Sequence, residues 1–224
     1  MKSLIMLMVV RFFAFSPALA QTEKLPDKAV CVVCAALEGK NVKPEKVKAS
    51  AQHEGATYYF CSADCKSEFD DDPLAYSPPV LPRAAPKILV EDLTGKEVSL
   101  DDFRGRVVLV DFWATWCKPC AKMMPELQKL SSQYAEQGFT VIGISIDAGS
   151  EVASKVKKFI ENLKVTYPIL LDVKPEPAWQ AFHVRVIPAT FLIDRNGQIV
   201  QQWRGEVEID EIKSAVARLV GQSK

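Results

Sequence analysis

The sequence predicts an α/β fold in which a mixed sheet carries helices on both faces, preceded by a small cysteine-rich α+β module. Three observations predict it. From Ile88 onward, short apolar runs alternate with stretches of helical periodicity, the pattern of strands joined by covering helices. That region closes on two apolar runs joined by Asn196-Gly197, a β-hairpin signal, and then a last helical stretch. Four of the six cysteines fall within residues 24–76, ahead of a proline-rich break.

The elements of the larger region follow in order. Ile88-Leu-Val and Val98-Ser-Leu flank Thr94-Gly95-Lys96 and read as a hairpin. Val107 to Trp113 is a continuous apolar strand interrupted only by Asp111. A helix is predicted from about Lys118 to Gln137, with Met123, Met124, Leu127 and Leu130 at helical spacing and Gly138 as its stop. Thr140 to Ile146 is a buried strand, 151 to 164 an amphipathic helix, Tyr167 to Leu171 a short strand and Glu176 to Phe182 a short helix. Ala189 to Ile193 and Ile199 to Trp203 form the hairpin, and 208 to 220 is the closing helix.

Bulk properties narrow the function. A chain of 224 residues with 48% apolar content has room for one ordinary domain and a small module, each with a core. Lys plus Arg equal Asp plus Glu at 28 each, which removes the electrostatic argument for nucleic acid. The Lys40, Lys43, Lys46, Lys48 cluster reads as a solvated face. Residues 1–20 read as a signal peptide: Lys2, an apolar stretch from Leu4 to Phe15 with Arg11 inside it, and Ala18-Leu19-Ala20 as the cleavage pattern. The expected destination is an exported, periplasmic and oxidising compartment. The expected layout is then a cysteine-rich module over 24–76, a semi-rigid proline-rich linker over 77–86, and the α/β domain over 87–222.

The chemistry-bearing motif is Trp116-Cys117-Lys118-Pro119-Cys120, at a strand-to-helix junction. A cysteine at a helix start meets unpaired backbone N–H groups and the positive end of the dipole, which favour its thiolate. A second cysteine one turn on is near enough to resolve a mixed disulfide. No His follows Cys120, which argues against haem attachment. Pro119 costs no hydrogen bond at an early helix position.

With Leu93-Thr-Gly-Lys-Glu-Val-Ser-Leu100, Phe112-Trp-Ala-Thr-Trp-Cys117, Pro125-Glu-Leu127 and Pro188-Ala-Thr-Phe-Leu-Ile-Asp194-Arg-Asn-Gly197, the chain resembles the exported TlpA/ResA-like branch of the thioredoxin superfamily over about residues 85 to 220. The resemblance implies a thioredoxin-like sheet, with Cys117 as nucleophile and Cys120 as buried resolving thiol. It implies that Pro188 is the cis-proline beside the disulfide, next to backbone that docks substrate. Asp111 falls where thioredoxin has a buried carboxylate, which could relay the proton of Cys120; the alternative is a satisfied structural Asp at a strand end. The implied activity is reduction of protein disulfides, with electrons from a DsbD-type membrane donor. The implied clients are cysteines of a metalloprotein under assembly, such as apocytochrome c or a copper-site protein. Met123 stands where many relatives carry Glu and reads as core filler, and His183 stands where they often have Gly and reads as a cap or surface residue. Alternatives are a redoxin-type thiol peroxidase, whose usual Pro-x-x-x-Thr-x-x-Cys pattern is absent here, and a metal carrier that uses the fold as scaffold.

In the first module, Cys31-x2-Cys34 and Cys61-x3-Cys65 are two close pairs joined by a loop, a pattern suited to tetrahedral metal ligation. In an exported chain the same four residues could instead form two disulfides. His53-Glu-Gly-Ala-Thr-Tyr-Tyr-Phe-Cys61-Ser-Ala-Asp-Cys65 and Phe69-Asp-Asp-Asp-Pro73-Leu-Ala-Tyr76 resemble YHS/TRASH-like metal-binding modules. That resemblance implies zinc or copper on Cys31, Cys34, Cys61 and Cys65. Ala35-Ala36 stands where such modules often carry Gly-Met, which leaves the metal open, and His53 is either a further ligand or a turn residue.

Overall fold

The computed structural model describes residues 25–38 and 42–221. The signal peptide expected over residues 1–20 lies outside the described residues. No helix among them is long and apolar enough to cross a membrane.

The first module is built on one aromatic side chain. Strands β1 (Lys28–Ala29) and β2 (Glu45–Lys46) pair antiparallel, as do β3 (Ala49–His53) and β4 (Ala56–Phe60). Helix α1 (Val32–Glu38) and helix α2 (Ala63–Asp71) close over the β3–β4 ribbon. Ser62 caps α2, its hydroxyl accepting from the Cys65 N–H at 3.1 Å. Phe69, in α2, is buried against Phe60 and Tyr58, with ring centroids 5.2 and 4.9 Å away, and the edge of His53 approaches it at 6.0 Å. Val33, Cys31, Ala75 and Tyr76 complete that core. Lys43, Lys46 and Lys48 are exposed, as a solvated face requires.

The second module is an eight-stranded sheet, in order β5-β12-β11-β8-β9-β10-β6-β7. Its strands are β5 (Arg83–Ala84), β6 (Leu89–Asp92), β7 (Glu97–Ser99), β8 (Val107–Trp113), β9 (Phe139–Ser145), β10 (Ile169–Leu171), β11 (Ala189–Ile193) and β12 (Gln198–Arg204). β8, β9 and β10 run parallel and the rest pair antiparallel. All seven residues of β8 and of β9 are buried, as parallel strands covered on both faces must be. Strand alternation then sorts the core. Val107, Leu109 and Trp113 face helices α3 (Lys118–Tyr134), α4 (Val152–Leu163) and α6 (Ile209–Val220); Val108, Val110 and Phe112 face α5 (Ala178–Ala181) and Phe182. The thioredoxin-like mixed sheet predicted from the sequence is the fold observed.

Differences from the sequence reading are local. β10 begins at Ile169 rather than Tyr167, because Pro168 has no N–H to offer the ladder. α5 begins after Pro175 and Pro177, which hold the preceding residues extended. The larger difference lies in the stretch read as a linker. Arg83 and Ala84 pair with Ile199 and Gln198, and the Ala85 N–H donates to the Gly197 carbonyl at 3.0 Å. Pro82 and Pro86 flank this short strand at the sheet's edge, where prolines remove no ladder bond. The segment read as a semi-rigid linker is therefore partly sheet.

The two modules touch. Arg204 at the end of β12 donates to the carbonyls of Ser77 and Leu74, at 3.0 and 2.7 Å. Asp72, which ends α2, lies 2.8 Å from His183 Nδ1 and 3.4 Å from Arg185 Nε. His183 adopts a left-handed φ of 56°, which explains why glycine suits this position, and its ring is spent on the neighbouring module. A groove of about 800 Å³ runs between α1, through Val32, Ala35 and Ala36, and Pro119, Ile187 and Pro188 of the larger module.

Because Phe69 is the centre of the first core, Phe69→Ala should cost that module about 3–5 kcal/mol. Amide exchange should show loss of protection across β4 and α2 before any change in β8 and β9.

Candidate functional site

Cys117 is the N-cap of α3, and Cys120 lies one turn inside. Their sulfurs are joined in a disulfide, with Cα atoms 5.3 Å apart. The Cys120 N–H donates to Cys117 Sγ at 3.2 Å, so the first cysteine takes the role that Ser or Asp usually fills at a helix start. Cys120 is fully buried beside Met123, Met124 and Leu127, whereas Cys117 keeps a 5% exposed edge behind the open indole of Trp116. Met123 and Met124 are core, as expected.

The turn that delivers Cys117 is held by a residue the sequence reading did not single out. Asp147, just past β9, accepts from the Thr115 N–H at 2.7 Å and the Thr115 hydroxyl at 2.6 Å. Ser145 Oγ and Lys155 Nζ donate to the same carboxylate at 3.0 and 2.7 Å. Burial alone would raise the pKa of Asp147; the Lys155 ammonium and the Thr115 donors overcome it and hold the group below the usual carboxylate range. Four donors on one buried carboxylate make this a rigid clamp on the approach to the disulfide.

Asp111 occupies the same sheet face as Leu109 and Trp113, the face that α3 covers. Its side chain is completely buried. Thr190 Oγ1 donates to Oδ1 at a long 3.4 Å, and Oδ2 has no partner among the described residues. The reading of a satisfied structural Asp at a strand end therefore does not describe it. Burial pushes its carboxyl up to about 8, with Thr190 pulling back only in part.

The Ile187–Pro188 peptide is cis. Pro188 is buried, its carbonyl accepts from the Gly205 N–H at 2.8 Å, and it lines the inter-module groove together with Pro119. No hydrogen bond to the backbone N–H of Val186 or Ile187 is formed among the described residues.

Cys31, Cys34, Cys61 and Cys65 converge in the first module, all four Sγ atoms within 4.8 Å of one another. Cys34 lies 3.5 Å from Cys61 and 3.9 Å from Cys65, and Cys61 lies 3.7 Å from Cys65. A tetrahedron with metal–sulfur bonds of about 2.3 Å has edges of about 3.8 Å, so the donor set fits a tetrahedral ion. It does not fit two disulfides, whose bonded sulfurs stand about 2.0 Å apart. Burial pushes the Cys34 and Cys61 thiols up, the latter to about 11. Cys31 moves down against its own burial, because the Cys34 and Cys61 backbone N–H groups donate to it. His53 stays outside the cluster, its Nε2 buried and without a partner among the described residues, so the structure does not make it a ligand.

A vicinal cysteine pair at the N-terminus of a helix, on a thioredoxin-like sheet with a cis-proline opposite, defines a thiol–disulfide oxidoreductase. The chain belongs to the AhpC/TSA family, matched over residues 82–202, and carries a YHS domain match over residues 35–80. It is 34% identical over 137 residues to the thiol-disulfide oxidoreductase ResA of Bacillus thuringiensis subsp. konkukian, covering 61% of this chain and 77% of that one. Among solved structures it resembles the thioredoxin domain of a Bacteroides vulgatus thiol-disulfide oxidoreductase, at 34% identity and a TM-score of 0.55, over 64% of this chain and all of that one. A thiol:disulfide interchange protein from Bacteroides sp. matches at 32% identity and a TM-score of 0.56, over 65% of this chain and 93% of that one.

Asp111 also predicts how stability depends on pH. Its folded pKa, about 8, lies above the unfolded value of about 3.9, so the folded state holds the proton longer. The resulting stability is full below about pH 4 and is lost as pH rises through about 8, at no more than about 1.4 kcal/mol per pH unit. Urea unfolding of the oxidised protein at pH 5 and pH 8 should show wild type losing on the order of 3 kcal/mol more than Asp111→Asn.

Proposed function

We propose that this chain reduces disulfides of an exported protein client through Cys117 and Cys120, and that its first module holds one metal ion. The observation that carries the redox reading is the Cys117–Cys120 disulfide at the start of α3, Cys117 keeping a small exposed edge and Cys120 wholly buried. In the reduced chain the Cys117 thiolate, favoured by the helix start, attacks a client disulfide, and one client sulfur leaves with the electron pair. Cys120 then gives its proton to Asp111 and attacks Cys117 Sγ. The Cys117–client bond breaks, the second client sulfur leaves as thiolate, and the Cys117–Cys120 disulfide forms. Asp111 suits the acceptor role because it sits beneath α3 and its burial sets its pKa close to that of a thiol. The unpaired backbone beside Pro188 gives an extended client segment a place to lie.

The same proposal takes the direction as reduction, the electron donor as a DsbD-type membrane protein, the location as periplasmic and the client as a metalloprotein, a reading supported by likeness to the ResA-type relatives and by the attached YHS domain. The layout of signal peptide, module and redox domain belongs to the same proposal. In the module, Cys31, Cys34, Cys61 and Cys65 would hold zinc or copper, and a closed set of four thiolates in a tetrahedron suits zinc best. Such an ion would tie α1 to α2 and stabilise the thiolate forms of the quartet.

Insulin reduction tests the first half. Cys117→Ser should lose at least about a hundredfold in rate, because no thiolate remains to attack. Cys120→Ser should accumulate a mixed disulfide with the client, visible on a non-reducing gel; turnover by Cys117→Ser would sink the assignment.

Metal analysis of protein purified under reducing conditions tests the second half. The expected content is about one ion per chain, with a Co²⁺-loaded sample giving the thiolate charge-transfer bands of a tetrahedral site. Cys34→Ser should abolish stoichiometric binding while leaving insulin reduction intact.

A further inference from the structure

Two buried side chains with polar ends, Trp113 and Tyr167, crowd a glycine that stands beside Asp111 in the sheet. Gly143 of β9 stands directly beside Asp111 of β8 in the parallel register. A Cβ on Gly143 would come within 2.8 Å of Ile169 Cδ1, 3.0 Å of Trp113 Nε1 and 3.1 Å of Tyr167 Cε2. The missing side chain is thus what lets the indole edge and the phenol ring close over this part of the sheet. Trp113 Nε1, Tyr167 Oη and Asp111 Oδ2 are all buried without a hydrogen-bond partner among the described residues. Only His53 Nε2 and Ser77 Oγ share that condition, and both lie outside the sheet core. Two unspent donors on the sheet face that carries Asp111 are what a buried carboxylate needs once it is charged.

The other neighbours do not meet that need. From β11, Thr190 gives one long hydrogen bond. From α3 and its N-cap the buried groups that can titrate, once reduced, are Cys117 and Cys120, whereas Lys118, Lys122 and Lys129 of that helix are exposed. Asp147, at the end of β9, is taken up by Thr115, Ser145 and Lys155. No lysine, arginine or histidine among the described residues contributes to the ionisation of Asp111, which responds to burial and to Thr190. Tyr167 stays a donor throughout, because burial and then the Asp111 charge push its phenol well above the ordinary value.

We propose that Tyr167 is a positioning residue for the proton transfer: when Asp111 ionises in the reduced chain, the Tyr167 hydroxyl and the Trp113 indole N–H, both unbonded in this oxidised structure, turn to it and hold it in its proton-accepting form. This rests on the reading of Asp111 as the acceptor of the Cys120 proton. When Cys120 attacks Cys117 Sγ, its proton passes to Asp111. The new S–S bond forms with the Cys120 electron pair, and the client sulfur leaves with the pair of the broken bond. The hydroxyl and indole stabilise the carboxylate only before that transfer, so they set the pH at which the resolving step runs.

The test uses the full-length chain and four proteins: wild type, Tyr167→Phe, Asp111→Asn and the double variant. Insulin reduction is followed from pH 5 to 9, and the Asp111 carboxyl band is titrated by infrared difference spectroscopy. Tyr167→Phe keeps the ring and removes only the donor. Its rate profile and its carboxyl titration should both move up by about one pH unit. In the Asp111→Asn background the same change should leave the profile where it was. An unmoved titration, an equal loss of rate at every pH, or a displacement that persists without Asp111 would each overturn the proposal. If Asp111→Asn itself keeps the wild-type profile, the reading of Asp111 as acceptor fails, and the infrared titration of Tyr167→Phe alone decides whether Tyr167 serves the carboxylate.

Discussion

The parallel pairing of β8 with β9 over seven residues each is the constraint on which the rest of the structure depends. It buries both strands on both faces, so every side chain along them has to be absorbed by a helix layer or by another buried group. At its C-terminal end it brings Thr115 beside Asp147, and the strand-to-helix turn is then tied before α3 begins. In its middle it sets Asp111 beside a glycine rather than a side chain. The redox pair inherits its position from this ladder. A slip of one residue would turn Asp111 away from α3 and carry Thr115 out of reach of its clamp.

Much of this was legible in the chain, for identifiable reasons. β8 and α3 carry the two strongest local signals, an unbroken apolar run and a stripe of Met123, Met124, Leu127 and Leu130 that ends on a glycine with φ of 75°. The cysteine spacings were enough to expect both clusters. What is not legible locally depends on distant partners. Asp147 looks like an ordinary polar loop residue until Thr115, 32 positions earlier, is seen donating to it. Tyr167 reads as the start of a strand, and only the absence of a side chain at Gly143 shows why its ring turns inward. His183 reads in the sequence as a cap or surface residue, yet its tie to Asp72 crosses 111 residues and belongs to no local pattern.

The two modules share more than a tether. α1 contributes Cys34 to the thiol cluster and Val32, Ala35 and Ala36 to the groove that faces Pro119 and Pro188. One short helix therefore answers to both sites, and whatever orders the four cysteines also orders one wall beside the redox pair. The small side chains of Ala35 and Ala36 keep that wall low.

The strand β5 carries a consequence for the exposed edge of the sheet. β12 is long, and without a neighbour its outer backbone would present unpaired N–H and C=O groups to any strand of another molecule. Arg83 and Ala84 cover one end of that edge, and Arg204 at the other end is turned back onto the carbonyls of Ser77 and Leu74. The segment joining the modules thus covers part of an edge that would otherwise be open to strand pairing. A redox domain cut free near residue 86 would keep its disulfide chemistry while acquiring an open strand able to pair with a second copy of itself.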